Sequence, residues 1–274
     1  MFTWKIWRGL RTPPQQHPLF RRVMVAPLRP TPWYVGCAII LIAPLLLLPA
    51  ILFTSAFYSL RWAVTIGGII AREREVGMFD LISLSPEGGL GASWAICTAS
   101  IHRNQSLQQI QSPMSWLVRL GFTLLILASL GNFVEPLVPF GANAPMEIII
   151  PLVYLFTLAG ALYVDHVQSV AMGSLIGMLM PTYTRSRIDA GVGAFIVFLL
   201  LQVTTYMLTL LIGFSFLPSL FRGLGLVPTL VAILLPILRL VIFGLIREGM
   251  IAGLWRVLVE RLNIAASEMV YVTR

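Results

Sequence analysis

Two groups of residues in this sequence have types and spacings that chemistry can use. The first is Asp165-His166, a carboxylate and an imidazole side by side within an apolar run from Met146 to Met180. An ionisable residue at membrane depth is expensive and by default points to a polar path or proton relay. The plainer readings are a span emerging into water, or a hydrogen bond to a neighbouring helix. The second group is Arg72-Glu73-Arg74-Glu75 and the eleven residues after it, Val76 to Pro86, among which Met78, Phe79, Leu81, Ile82 and Leu84 are bulky and apolar. Apolar groups on a segment leaving the membrane among four alternating charges predict a helix whose greasy face docks into a groove on another molecule. Packing beneath its own bundle is the alternative.

Other chemistries lack their residues. No Gly-rich loop ending in Lys-Ser/Thr occurs, so the chain carries no visible nucleotide site. There is no His-Glu-x-x-His metal pair and no Gly-x-Ser-x-Gly turn. Cys37 and Cys97 stand apart, and only His166 of the three histidines has an acid beside it. No catalytic, cofactor-binding or metal-binding residue is expected, and the chain does not read as an enzyme. Gly173-Ser174-Leu175-Ile176-Gly177 instead offers a small face for close helix packing.

The elements that must hold these groups are membrane helices. Of the 274 residues, 58% are hydrophobic and only 11% charged, against roughly 25% charged in soluble domains. A soluble surface cannot be covered with so few charges. The net charge is +8, and every residue up to Arg72 that is charged is a cation. These cations flank apolar runs, which favours anionic headgroups over nucleic acid as their partner.

The runs predict an all-α integral membrane protein, a six-helix bundle with amphipathic interfacial helices at both ends. Residues 1–32 form a basic cytosolic segment rather than a cleavable signal. In it Phe2, Ile6, Trp7 and Leu10 share one helical arc opposite Lys5, Arg8 and Arg11, and Pro13-Pro14 ends the helix. The membrane domain covers 33–246. Trp33 to Ile70 holds two coupled short spans; the others are Met114–Val138, Met146–Met180, Ala190–Leu217 and Gly223–Ile246. Residues 72–113 form a long polar cytosolic loop. Residues 247–274 carry a second amphipathic helix, with Ile251, Leu254, Trp255, Leu258, Val259 and Leu262 on one stripe. Arg239, about 12 Å from Arg247 along a helix, is expected to extend toward cytosolic headgroups. With both termini inside, fifteen of the 19 cations are cytosolic and only Arg61 and Arg222 fall on the outer turns. That is a strong positive-inside bias.

The stretch after the second span resembles the permease family of type-2 ATP-binding-cassette (ABC) exporters. Glu73-Arg74-Glu75-Val76-Gly77 matches the start of that family's motif, and Asp80-Leu81-Ile82 with Ser85-Pro86 matches the rest conservatively. Gly173 to Ala190, with Arg185 and Arg187, is similar to the family's fourth-span exit. Met78 stands where a threonine is usual, and Glu87-Gly88-Gly89 follows the proline. The resemblance implies a plasma-membrane permease subunit with cytoplasmic termini, paired with a second, identical or different permease. It implies separate ATPase subunits that hold ATP and magnesium. Glu73, Glu75, Gly77, Met78, Phe79, Asp80, Leu81, Ile82 and Pro86 would form the ATPase-coupling element. A non-transporting accessory or scaffold subunit is the alternative.

Overall fold

The computed structural model describes residues 2–25, 54–77, 79, 88–103, 106–113, 115–121, 123, 144–184, 186–225 and 227–263. All regular structure among them is helical. Among the described residues, three helices are long and apolar enough to cross a membrane: Ile149–Thr182, Arg187–Gly223 and Pro228–Leu262. The expected first span and most of the third fall outside the described residues, and the expected second, within Thr54–Glu75, is not among these three helices, so six spans remain an expectation from sequence.

The chain opens with α1 (Phe2–Arg11) and α2 (Pro18–Val25), followed by α3 (Thr54–Glu75), α4 (Gly88–His102) and α5 (Ser106–Gln111). The long helix α6 (Ala144–Leu179) ends in a 3-10 turn, Met180–Thr182. Then come α7 (Arg187–Leu210), a π-helical turn (Leu211–Phe216), α8 (Leu217–Gly223) and α9 (Pro228–Leu262). The three candidate spans hold 34, 37 and 35 residues, which at 1.5 Å per residue is about 50–55 Å. A hydrocarbon core is only about 30 Å thick. Each helix therefore tilts or projects well beyond the bilayer.

Helix α6 shows the consequence. Its first half exposes Ile149, Leu152, Phe156 and Tyr163, whereas every residue from Asp165 to Leu179 is buried. The buried half is packed by α3 and α9 and flanked by α1, α4 and α7. The Gly173–Gly177 face is the seam against α3. A Cβ at Gly173 would lie 2.5 Å from the carbonyl oxygen of Ser59, and one at Gly177 would lie 2.8 Å from Ile66 Cβ. Only glycine permits that approach.

The N-terminal helix forms with the two faces expected, Ile6, Trp7 and Leu10 buried and Lys5, Arg8 and Arg11 exposed, but its apolar face is buried within the chain rather than turned to a membrane surface. Its apolar side packs on α6 and α9 of the same chain. Glu248 on α9 takes the backbone N–H of Thr3 at 3.1 Å, so a carboxylate sits at the N-terminus of α1, where the helix dipole favours it. At the other end His102 Nε2 donates to the Leu10 carbonyl at 2.8 Å.

Part of the 72–113 stretch departs from the polar loop expected there. Gly88–His102 is a helix buried on all sides through Ile101, save for a half-exposed Gly89. Its hydroxyls are satisfied within the helix: Ser93 donates to the Gly89 carbonyl at 2.8 Å, Thr98 to Trp94 at 2.9 Å and Ser100 to Ile96 at 2.8 Å. Ser and Thr bonded this way present an apolar exterior, so residues that look polar in sequence bury without penalty. Helix α2, not anticipated from sequence, covers α4 with Leu19, Phe20 and Val23.

Cys97 lies inside α4, fully buried. Burial pushes its thiol up to about 12, a shift only partly offset by the hydrogen bond with Ser174. Reactivity belongs to the thiolate. In a Cys37→Ser background, maleimide labelling of Cys97 at pH 8 should therefore be at least about three orders of magnitude slower than for an exposed cysteine. Labelling at the exposed rate in the native protein, followed by mass spectrometry, would refute the placement of α4.

Helix α9 runs unbroken from Pro228 to Leu262, with Pro236 inside it. The expected last span and the expected C-terminal amphipathic helix are thus one element. Ile251 and Leu258 are fully buried while Arg256, Glu260 and Arg261 are exposed.

Candidate functional sites

The Glu73-Arg74-Glu75 segment ends α3, and each of its residues engages a different part of the chain. Glu73 pairs with Arg22 of α2 at 3.3 Å. Arg74 Nη1 donates to the Pro181 carbonyl just past α6 at 2.9 Å, and its guanidinium lies 4.6 Å over the Phe79 ring. Glu75 Oε1 accepts the backbone N–H of Arg187, the first residue of α7, at 2.7 Å. That N–H has no intrahelical partner, and a carboxylate there also meets the positive end of the helix dipole. Gly77 stops α3 with a φ of +72°, a left-handed conformation that costs glycine little.

Arg72 and Glu75 are exposed and Glu73 and Arg74 partly buried, yet the last three of these charges are all engaged. They tie α2, the end of α6 and the start of α7 to the tip of α3. Phe79 does not project as a free knob: it is 4% exposed, beneath Arg74. Met78, Asp80, Leu81, Ile82 and Pro86 lie outside the described residues.

The second site lies about 30 Å away along α3, at 1.5 Å per residue. Asp165 and His166 are buried there, 8% and 1% exposed, but they do not work as a pair. Successive helical residues are rotated by roughly 100°, so each meets different neighbours. Asp165 Oδ1 is 2.8 Å from Arg247 Nη1 and accepts from the Tyr206 hydroxyl at 3.0 Å. Arg247 Nη1 also donates to Ser169 Oγ at 2.9 Å and to the Asp165 carbonyl at 3.1 Å. Gln202 Nε2 donates to the Tyr206 oxygen at 2.6 Å. The guanidinium stacks on Phe243 and Tyr206, 4.9 and 5.4 Å from their centroids.

Arg247, expected at the start of the amphipathic C-terminal segment, is 1% exposed and packed within the helices. Arg239 likewise does not extend toward headgroups beyond Arg247. Its Nε donates to the Gly213 carbonyl in the π-helical turn at 2.8 Å, with the guanidinium 3.9 Å over Phe214.

No protein-family model, characterised protein or solved structure matches this chain.

His166 belongs to another group. Its Nδ1 is 3.0 Å from Ser55 Oγ, and Arg119 Nη1 donates to that same oxygen at 2.7 Å. Trp7 and Trp116 stand edge-to-face to the imidazole, with centroids 5.2 and 5.6 Å away. The site thus draws on α1, α3, α6 and residues 115–121. Among the described residues no cluster of three His, Cys, Asp or Glu side chains has metal-binding geometry.

Proposed function

We propose that this chain is the membrane permease subunit of an ATP-driven exporter, moved by separate nucleotide-binding subunits. The single observation that carries the reading is the triple engagement of Glu73, Arg74 and Glu75. A force applied just after Gly77 passes to α2 through Arg22, to the end of α6 through Pro181 and to α7 through Arg187. Coupling segments need this arrangement, because a small displacement becomes useful only when it moves rigid elements together. Met78 and Asp80 to Pro86 supply the face that the ATPase grips. The protein sits in the plasma membrane with both termini cytoplasmic and pairs with a second permease.

Solubilisation in mild detergent should bring down a nucleotide-binding subunit with the chain. In lipid nanodiscs, Glu75→Gln should leave that subunit bound but lower the ATPase turnover of the complex about tenfold. If no ATPase accompanies the chain, the reading fails. It fails equally if the variant's turnover matches wild type.

One observation favours the accessory reading: Phe79 packs within its own chain. The same purification separates the two, since a scaffold subunit would be held by integral proteins and would not alter ATPase turnover.

A further inference from the structure

Among the described residues, the surroundings of His166 hold several hydrogen-bond donors and few acceptors. Arginine only donates, so Ser55 Oγ accepts from Arg119, and it stands 3.0 Å from His166 Nδ1, to which it can offer its own proton. In the tautomer with that arrangement the ring proton is on Nε2. Among the described residues His166 Nε2 has no acceptor, nor have Arg119 Nη2 and Trp7 Nε1. These three donors belong to residues 1%, 4% and 3% exposed. A buried donor left unmatched is costly, and an added acceptor group reaching these side chains would remove that cost. The neighbouring carboxylate, Asp165, is already engaged by Arg247 and Tyr206.

We propose that Trp7, Arg119 and His166 form a binding site for the oxyanion head of an anionic amphiphile. A guanidinium supplies the charge, and the imidazole and indole N–H groups supply directed donors. The tail has a path. Tyr163 contacts both Trp4 and Trp116, at 6.3 and 6.0 Å between centroids. From Tyr163 an exposed apolar stripe climbs α6 through Phe156, Leu152 and Ile149, spaced by seven, four and three residues on one helical face. Aromatic rings beside a cation, at the foot of an apolar stripe, form the kind of boundary where amphiphile heads rest.

Helix α1 closes the site, since Trp7 is part of it. The head enters as α1 lifts about Pro13-Pro14, releasing the bonds from Thr3 to Glu248 and from His102 to Leu10. This inference does not depend on the exporter reading.

The full chain in dodecyl maltoside, titrated with dodecyl phosphate and followed by tryptophan fluorescence, should show saturable binding. Arg119→Gln and His166→Phe should weaken it at least tenfold. Trp7→Phe, which keeps one aromatic ring and loses the indole N–H together with the second ring, should weaken it about threefold while leaving binding saturable, so a folding defect in the other variants does not decide the matter. Arg8→Gln, on the exposed face of α1, should leave affinity unchanged. Equal binding of inorganic phosphate supports the oxyanion site with a free anion as its source. The proposal is overturned if binding never saturates or if Trp7→Phe matches wild type. Weakening by Arg8→Gln as large as that by Arg119→Gln also overturns it, since surface charge then explains the attraction.

Discussion

Arg247→Met is expected to cost about 3–5 kcal/mol of stability, the loss typical when one partner of a buried ion pair is removed. The charge left behind is Asp165, 8% exposed. Its remaining donors would be the Tyr206 and Ser169 hydroxyls, at 3.0 and 3.5 Å, and neither neutralises a carboxylate. The substitution also removes the stacking on Phe243 and Tyr206. Three helices meet at this point: α6 brings Asp165, α7 brings Tyr206 and α9 brings Arg247. Loss of the pair should loosen all three together, seen as early melting in a detergent thermal-shift assay. The double variant Asp165→Asn, Arg247→Met should recover most of the loss, because no unpaired charge then remains. A single variant as stable as wild type would show that Arg247 is not buried against Asp165. Comparable damage in the double variant would show that packing, rather than charge, governs the site.

The second large effect concerns the seam between α3 and α6. Gly173→Ala places a Cβ 2.5 Å from the Ser59 carbonyl oxygen and 3.0 Å from its carbon. Both atoms are backbone, so relief requires α3 to move away from α6. Overpacking of this kind costs about 1–3 kcal/mol and sometimes more, and Gly177→Ala against Ile66 and Ala63 should act in the same direction. The contrast lies on α9, where a Cβ at Gly249 or Gly253 meets nothing within 4 Å. Alanine there should be neutral or stabilising by up to about 1 kcal/mol, as its helix propensity suggests. The four variants, compared by size-exclusion profile and melting temperature, test the seam directly. If Gly173→Ala melts with Gly253→Ala, the close approach of α3 to α6 is wrong.

Legibility in the sequence followed periodicity. The apolar arc of Phe2–Arg11 and the Ile251–Leu262 stripe were readable because each repeats at the helical period, and both faces turn inward in the structure. The run ending at Met180 was too long for one straight crossing, which left one long helix or a span with a bent continuation, and the structure has the long helix. Helix α4 was obscured because Ser93, Thr98 and Ser100 read as polar, while their hydroxyls are spent on their own helix. Leu19, Phe20 and Val23 carried a signal for α2, but eight residues between prolines are too few for a firm period.

Charges were legible only as composition. A lone Arg247 beside Glu248 looks the same whether it faces water or a buried Asp165, since nothing within a few residues of it differs. Its partner is 82 residues away. The motif at Glu73 to Gly77 was likewise recognisable as a pattern, but not as a clamp.

By itself, then, the sequence determined that this is a helical, membrane-embedded chain with basic amphipathic ends and a small-residue face on α6, because hydropathy and helical period are local properties. Only the tertiary structure decided which ionisable groups are paired, that Asp165 and His166 serve separate networks, and that Glu73, Arg74 and Glu75 bind three segments at once. Those outcomes depend on which residues distant in the chain are brought within about 3 Å, the reach of a hydrogen bond, and no local pattern encodes that distance.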